Sequence, residues 1–236
     1  MIEFKPLDDG RLAVRHSLLV GAVVRLLGYC DEHGGIELTP NKALKRKFVN
    51  WAVIEFDWPG YTHEDLSVVN KVFNEMDFPP LFFIHQLLID LKIGRHYKGL
   101  FKLTQAGKAL VGSPARLFGI ITPFFLFGYE YNSPRGREQP PPGNWDIFLN
   151  VINIEAQDSI TGQELFSKFY GYDDRPNPLA PRRSISGFYV AVLRPLCWAG
   201  LLEETRIAND WFADRMFRKT ALWSAALRLD TDHMIE

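Results

Sequence analysis

The sequence predicts a mainly α-helical protein with small paired strands, an α+β chain built from two similarly ordered modules in tandem. Three observations predict it. At 236 residues the chain is long for one small domain and comfortable for two of about 100 residues each. Between Ser133 and Gly143 it gathers Pro134, Gly136, Pro140, Pro141, Pro142 and Gly143, a row of breakers that reads as a linker. The stretches on either side pass through one order of elements: a helix, a short strand ending in threonine, a capped helix, a long apolar helix stopped by glycine, a charged hairpin and a closing helix. The expected divisions are residues 1–128, a linker over 129–143, and residues 144–236.

In the first module, Leu18, Leu19, Ala22, Val23, Leu26 and Leu27 recur at spacings of three and four, which predicts a helix over Val14 to Tyr29 with one broad apolar face. Gly34-Gly35 breaks it, and Ile36-Glu37-Leu38 alternates as a short strand. Thr39-Pro40 reads as a helix start, threonine capping and proline in the first turn, with the helix running towards Phe56. Thr62-His63-Glu64-Asp65 is a capping-box variant. Leu66, Val69, Val72, Phe73 and Met76 are expected to form the apolar face of the helix it opens. Asp77-Phe78-Pro79-Pro80 closes that helix, and Leu81 to Ile93 predicts a strongly apolar one before Gly94. Arg95 to Leu103 fits a hairpin turning near Lys98-Gly99, and Thr104 caps a last helix through Val111.

In the second module, Asn144-Trp145-Asp146 opens a helix carrying Ile147, Phe148, Val151, Ile152 and Ile154. Thr161-Gly162-Gln163-Glu164 is a full capping box, flanked by Ile160 and Leu165 as a hydrophobic staple. Ser184 or Ser186 begins a helix reaching Ala199, with a kink expected at Pro195. A longer hairpin then runs through Leu201-Leu202-Glu203-Glu204 to Phe217. Thr39 to Gly94 spans 55 positions and Thr161 to Gly200 only 39, so the first module is read as holding about one extra helix.

Composition narrows function by exclusion. Hydrophobic residues at 47% and charged residues at 23% are globular values, which argues against long disorder. The net charge of −1 excludes a chain coated in basic surface, so any nucleic-acid contact must come from local patches. Residues 1–127 carry 15 Lys+Arg against 13 Asp+Glu, and residues 128–236 carry 12 against 15, so the first half leans basic. Two cysteines far apart, Cys30 and Cys197, predict reduced thiols and a cytoplasmic protein. Met1-Ile2-Glu3-Phe4-Lys5-Pro6 lacks the layout of a signal peptide. The apolar run from Leu117 to Phe127, broken by Pro123, is shorter than the roughly 20 residues of a membrane span, so no membrane association is expected.

The ending Phe101-Lys102-Leu103-Thr104-x-x-Gly107-x-x-Leu110 resembles the winged-helix superfamily. Phe217-Arg218-Lys219-Thr220 is its weaker echo, with Trp223 where the glycine would stand. The resemblance implies two winged-helix-like domains in tandem and double-stranded DNA as partner. Leu38 to Arg46 and Leu193 to Leu202 also resemble an uncharacterised family of bacterial proteins, which brings no function with it.

Two cationic clusters carry the DNA expectation. Lys42, Lys45, Arg46 and Lys47 lie within six residues, and helical spacing would put the first three on one face, suited to phosphate oxygens. Arg95, His96, Lys98 and Lys102 follow on the first wing with no acid among them. Arg182 and Arg183 are expected to add a contact in the second module. Against base reading, Leu81 to Ile93 offers only His85, Gln86, Asp90 and Lys92 as polar members, and Glu203 and Glu204 of the second wing oppose phosphate. The sequence therefore predicts a DNA-associated protein of regulator type, with a non-enzymatic protein-interaction module, adaptor or toxin-like effector, as the rival.

Enzymatic readings find less. Cys30 and His33 would be half of a zinc site with no second pair at ligand spacing. No nucleophile, phosphate-loop or dinucleotide motif occurs, so neither catalysis nor a metal or cofactor is expected. Gln163-Glu164-Leu165-Phe166 resembles the short segments that dock on sliding clamps, but the capping box already accounts for it. Phe124, Phe125 and Phe127 are read as packing rather than as an exposed patch.

Overall fold

A computed structural model describes residues 2–8, 12–128, 143–171, 185–206 and 215–235. The chain divides into two compact units, one of residues 18–121 and one of residues 1–17 with 122–236. The sequence put the first boundary at 128 and assigned the N-terminus to the first module. The chain places it otherwise because β1 (Ile2–Phe4) pairs antiparallel with β8 (Leu227–Leu229). The expected linker falls almost entirely outside the described residues.

In the unit of residues 18–121, α1 (Leu18–Glu32) buries Leu19, Val20, Ala22, Val23, Leu26, Leu27 and Cys30, the stripe its spacing prescribes. The expected helix over Val14 to Tyr29 is broken at Ser17, and Leu12–His16 is a separate 3-10 turn. After β2 (Ile36–Glu37), Thr39-Pro40 does not start a helix. Leu38 bridges to Leu44, Lys42 takes a φ of +64°, and Thr39 Oγ1 accepts from Ala43 N at 3.1 Å, so the chain closes a tight turn. Only then does α2 (Arg46–Phe56) begin, with Lys45 in extended conformation as its cap. The helical face expected for Lys42, Lys45 and Arg46 therefore does not form.

Thr62 does cap as its motif dictates. Its hydroxyl accepts from Asp65 N at 3.2 Å while Asp65 accepts from Thr62 N at 3.0 Å. The helix it opens, α3 (His63–Ser67), is one turn long, however, and the predicted apolar face breaks up. Leu66 and Phe73 are buried, but Val69 is 81% exposed and Val72 and Met76 also face outward. β-branched residues lower helix propensity. Here a second capping box, Asn74 with Asp77, restarts the chain as a 3-10 turn over Glu75–Asp77.

Pro79 then opens α4 (Pro79–Asp90) from a first-turn position where its missing N–H costs nothing. The left-handed residue ending this helix is Lys92, φ +56°, and not the predicted Gly94. Gly94 is instead the first residue of β3 (Gly94–Tyr97), where a Cβ would stand 2.1 Å from Phe101 Cζ. β3 turns through Lys98-Gly99 into β4 (Leu100–Leu103), and β2 adds on the other edge of β4, giving the order β2–β4–β3. Thr104 caps α5 (Gln105–Lys108) and its N–H donates to the Ile93 carbonyl. Gly107 is required because a Cβ there would lie 2.2 Å from that same carbonyl oxygen. Helix α6 (Pro114–Pro123) follows, passing into a π-helical turn over Phe124–Gly128.

The other unit repeats the order. α7 (Trp145–Glu155) is capped by Asn144, whose Oδ1 accepts from Ile147 N at 3.0 Å. After β5 (Ile160–Thr161), the full capping box starts α8 (Gly162–Tyr170). Residues 185–188 are helical and lead through a π-helical turn over Tyr189–Leu193 into α9 (Arg194–Ala199), with Pro195 in its first turn. Pro195 lacks an N–H, and the chain passes it through this π-helical turn into a new helical start rather than as one continuous α-helix. Gly200, φ +79°, ends α9, and a Cβ there would stand 2.4 Å from the His16 carbonyl. β6 (Leu202–Arg206) pairs with β7 (Arg215–Lys219), and β5 pairs with β7, so the order β5–β7–β6 matches that of the first sheet. Thr220 caps α10 (Ala221–Ala226), and its N–H donates to the Leu201 carbonyl as Thr104 does to Ile93. Trp223, in place of the glycine, is buried and donates Nε1–H to Asn153 Oδ1 at 2.9 Å.

Candidate functional site

Strand pairing sets the geometry of the first hairpin. Arg95 faces Lys102 and His96 faces Phe101, so the alternation of side chains sends these pairs to opposite faces. The Phe101 face is buried. On the other, the Arg95 guanidinium lies over the Tyr97 ring at 5.3 Å, and Lys98 Nζ approaches the same ring at 5.4 Å. Among the described residues no ion pair holds Arg95, Lys98 or Lys102. Lys98 and Gly99 both have positive φ, +49° and +75°, the signature of a tight two-residue turn.

Beneath this hairpin runs a chain of polar groups that the sequence did not reveal. Glu75, 3% exposed, accepts from Leu44 N through Oε2 at 2.6 Å and meets His85 Nδ1 through Oε1 at 2.6 Å. His85 Nε2 lies 2.9 Å from His96 Nε2. A carboxylate can only accept, so His85 donates from Nδ1, and one proton is shared between the two facing Nε2 atoms of His85 and His96. The chain thereby fastens β3 to α4, and both to the turn ending at Leu44. Burial pulls His96 below the usual histidine range, helped by His85 and Lys42 and opposed by Glu75. In sequence, Glu75 was masked by the predicted helix over its segment. The only signal that separates it is the second capping box, which turns the chain at Asn74 and aims Glu75 inward.

The remaining expected contacts scatter. Lys45 pairs with Glu37 at 2.8 Å, and Arg46 Nε donates to Asn74 Oδ1 at 3.0 Å. Lys42 sits on the turn before α2, and Lys47 lines a cleft with Arg25, Tyr29 and Trp51. His96 belongs to the buried chain rather than to the outer hairpin face. Arg182 and Arg183 lie outside the described residues.

The second hairpin differs electrically from the first. Arg215 binds Glu204 at 2.6 Å and Arg218 binds Glu203 at 2.6 Å, so its acids are neutralised within the sheet. Tyr189 OH donates to Glu204 at 2.9 Å, while Arg215 stacks over its ring at 4.4 Å. Burial raises the Cys197 thiol well above its usual value and Cys30 to about 11, which leaves both poor nucleophiles. Cys30 Sγ faces the Phe101 carbonyl, and His33 Nδ1 donates to the Tyr29 carbonyl, so the two do not converge as metal ligands. Among the described residues no group of three metal-ligating side chains gathers, and no helix is long and apolar enough to cross a membrane.

Two comparisons fit this two-unit division. Residues 15–116 match the Y4jL N-terminal domain, and residues 135–221 match the y4jL C-terminal domain. The chain is also 34% identical over 177 residues to the uncharacterized protein y4jL of Sinorhizobium fredii, covering 75% of this chain and 80% of that one. The chain belongs to the two-domain Y4jL family. No solved structure matches it. In this Y4jL-family chain the N-terminal match ends inside α6 and contains the cationic hairpin and the whole Glu75–His85–His96 chain.

Proposed function

We propose that both units are winged-helix modules and that the protein is a cytoplasmic, non-enzymatic regulator-type factor which contacts duplex DNA through the wing of residues 94–103. One observation carries the reading. Arg95, Lys98 and Lys102 stand on the outer face and tip of that hairpin without acidic partners, whereas the neighbouring Lys45 and Arg46 are held by their own chain. Unpaired cations on a rigid ribbon suit phosphate oxygens, whose neutralisation releases counterions. Backbone strain points the same way. Lys42, Lys92 and Lys98 all occupy left-handed positions that glycine or asparagine would fill more cheaply, and lysine brings a long cation to each.

Helix α4 limits what is read. Only Gln86 and Asp90 are exposed polar residues on it, too few for base-edge recognition. Binding is therefore expected to be positional and sequence-tolerant. A salt titration of duplex binding tests this. Three phosphate contacts predict a log–log slope of about −2.7, and Lys98→Glu should cut the slope by about one unit or more. Absent or salt-insensitive binding removes the proposal.

A second reading has its own support. Val68 and Val69 are 85% and 81% exposed, with Val72 and Met76 close by in sequence, an apolar surface suited to a protein partner. A partner held by those side chains would survive Lys98→Glu, whereas DNA binding would not.

A further inference from the structure

A concavity of about 470 Å³ opens between the C-terminal half of α1 and the first half of α2, lined by Arg25, Tyr29, Glu32, His33, Lys47 and Trp51. That volume lies within the roughly 300–1,000 Å³ of small-ligand clefts. Three of its six lining residues carry rings, Tyr29, His33 and Trp51. Tyr29 packs on Trp51 with centroids 4.5 Å apart, and His33 stacks on Tyr29 at 4.1 Å with planes 13° apart. Trp51 is braced in turn by Phe48 and Phe56, so the rings form a fixed platform. One cation comes from each helix, Arg25 from α1 and Lys47 from α2, and among the described residues neither has an ion-pair partner. Gly21 leaves room for the Arg25 head, because a Cβ there would come within 3.2 Å of Nη1.

A bare phosphate would use the cations and leave the rings idle, and an uncharged ring would do the reverse. We propose that this cleft binds a nucleoside monophosphate, with the base against the open side of the His33–Tyr29–Trp51 ring cluster and the phosphate between Arg25 and Lys47. Base–aromatic stacking tolerates every base, and the guanidinium fork matches phosphate oxygens. Glu32 accepts from an exocyclic amine, and His33 Nε2 stays free because Nδ1 already donates to the Tyr29 carbonyl. The shared chemistry has two sources, a free nucleotide or the phosphorylated end of a strand. The proposal stands on α1 and α2 and does not require the wing to bind duplex.

Isothermal titration of the full chain with adenosine monophosphate tests it, with adenosine and ribose phosphate as the two fragments. The monophosphate is expected to bind at least about tenfold more tightly than either fragment. Lys47→Gln and Arg25→Gln change exposed side chains, so the fold should persist, and each should weaken that binding about tenfold. Trp51→Phe should retain most of it because a π-face remains. A dinucleotide bearing a terminal phosphate separates the sources: binding tighter than the monophosphate assigns a strand end, and equal or weaker binding assigns the free nucleotide. If the monophosphate binds no better than its fragments, or ignores both Lys47→Gln and Arg25→Gln, the site is overturned. Lys98→Glu should leave this titration unchanged, which keeps its failure distinct from that of the wing.

Discussion

Replacing Lys98 by asparagine is expected to move stability and DNA binding in opposite directions. Lys98 holds a φ of +49° next to Gly99 at +75°. For an L-residue with a full side chain the left-handed region costs roughly 1–2 kcal/mol, while asparagine visits it routinely. Asn-Gly is also the preferred pair for such a turn. Lys98→Asn should therefore stabilise the first unit by about 0.5–1 kcal/mol. With a urea m-value of about 2 kcal/mol/M, the midpoint rises by roughly 0.3–0.5 M. The same change removes one of the three hairpin cations, so on the proposed DNA contact the salt slope of duplex binding should fall from about −2.7 to about −1.8. Urea unfolding and a salt-titrated gel shift on one preparation read both quantities. A variant that is less stable, or that keeps the parent slope, refutes the argument that strain at this tip is retained for its charge.

Two further expectations concern the buried chain beneath the first hairpin. Glu75→Ala leaves Leu44 N and His85 Nδ1 without their acceptor, each of these contacts being 2.6 Å in the parent. At about 1–3 kcal/mol per stranded group the loss should reach about 2–6 kcal/mol, and a cost below about 1 kcal/mol by urea unfolding would show the chain to be dispensable. Acid should weaken the fold through His96. Its folded-state pKa is held below the ordinary 6.5, so the unfolded chain binds more protons just below that pH. Stability therefore rises with pH through this window and is lost as pH falls. Midpoints measured across it should flatten in His96→Gln, and an unchanged profile would place the dependence elsewhere.

How far the sequence carried depended on how local each signal was. Thr62 with Asp65, Thr161 with Glu164, Asn144, and the Lys98-Gly99 turn are contacts within three or four residues, and each formed as read. Such features involve few alternatives, so composition and spacing nearly determine them. The repeated order of elements was legible for the same reason, as was the apolar stripe of α1.

Thr39-Pro40 failed as a helix start because Leu38 could bridge Leu44 once Lys42 turned left-handed, a choice made by the sheet beyond it. Strand β1 found its partner more than two hundred residues away, so no window of sequence contained the pair. Glu75, His85 and His96 come from three elements, and their convergence exists only after α4 and the hairpin have packed. The sequence by itself determined caps, turns, apolar stripes and the cationic content of the first hairpin, since those depend on neighbours along the chain. Tertiary structure alone decided which cations stay unpaired and which polar groups are buried together, because desolvation and pairing depend on neighbours in space.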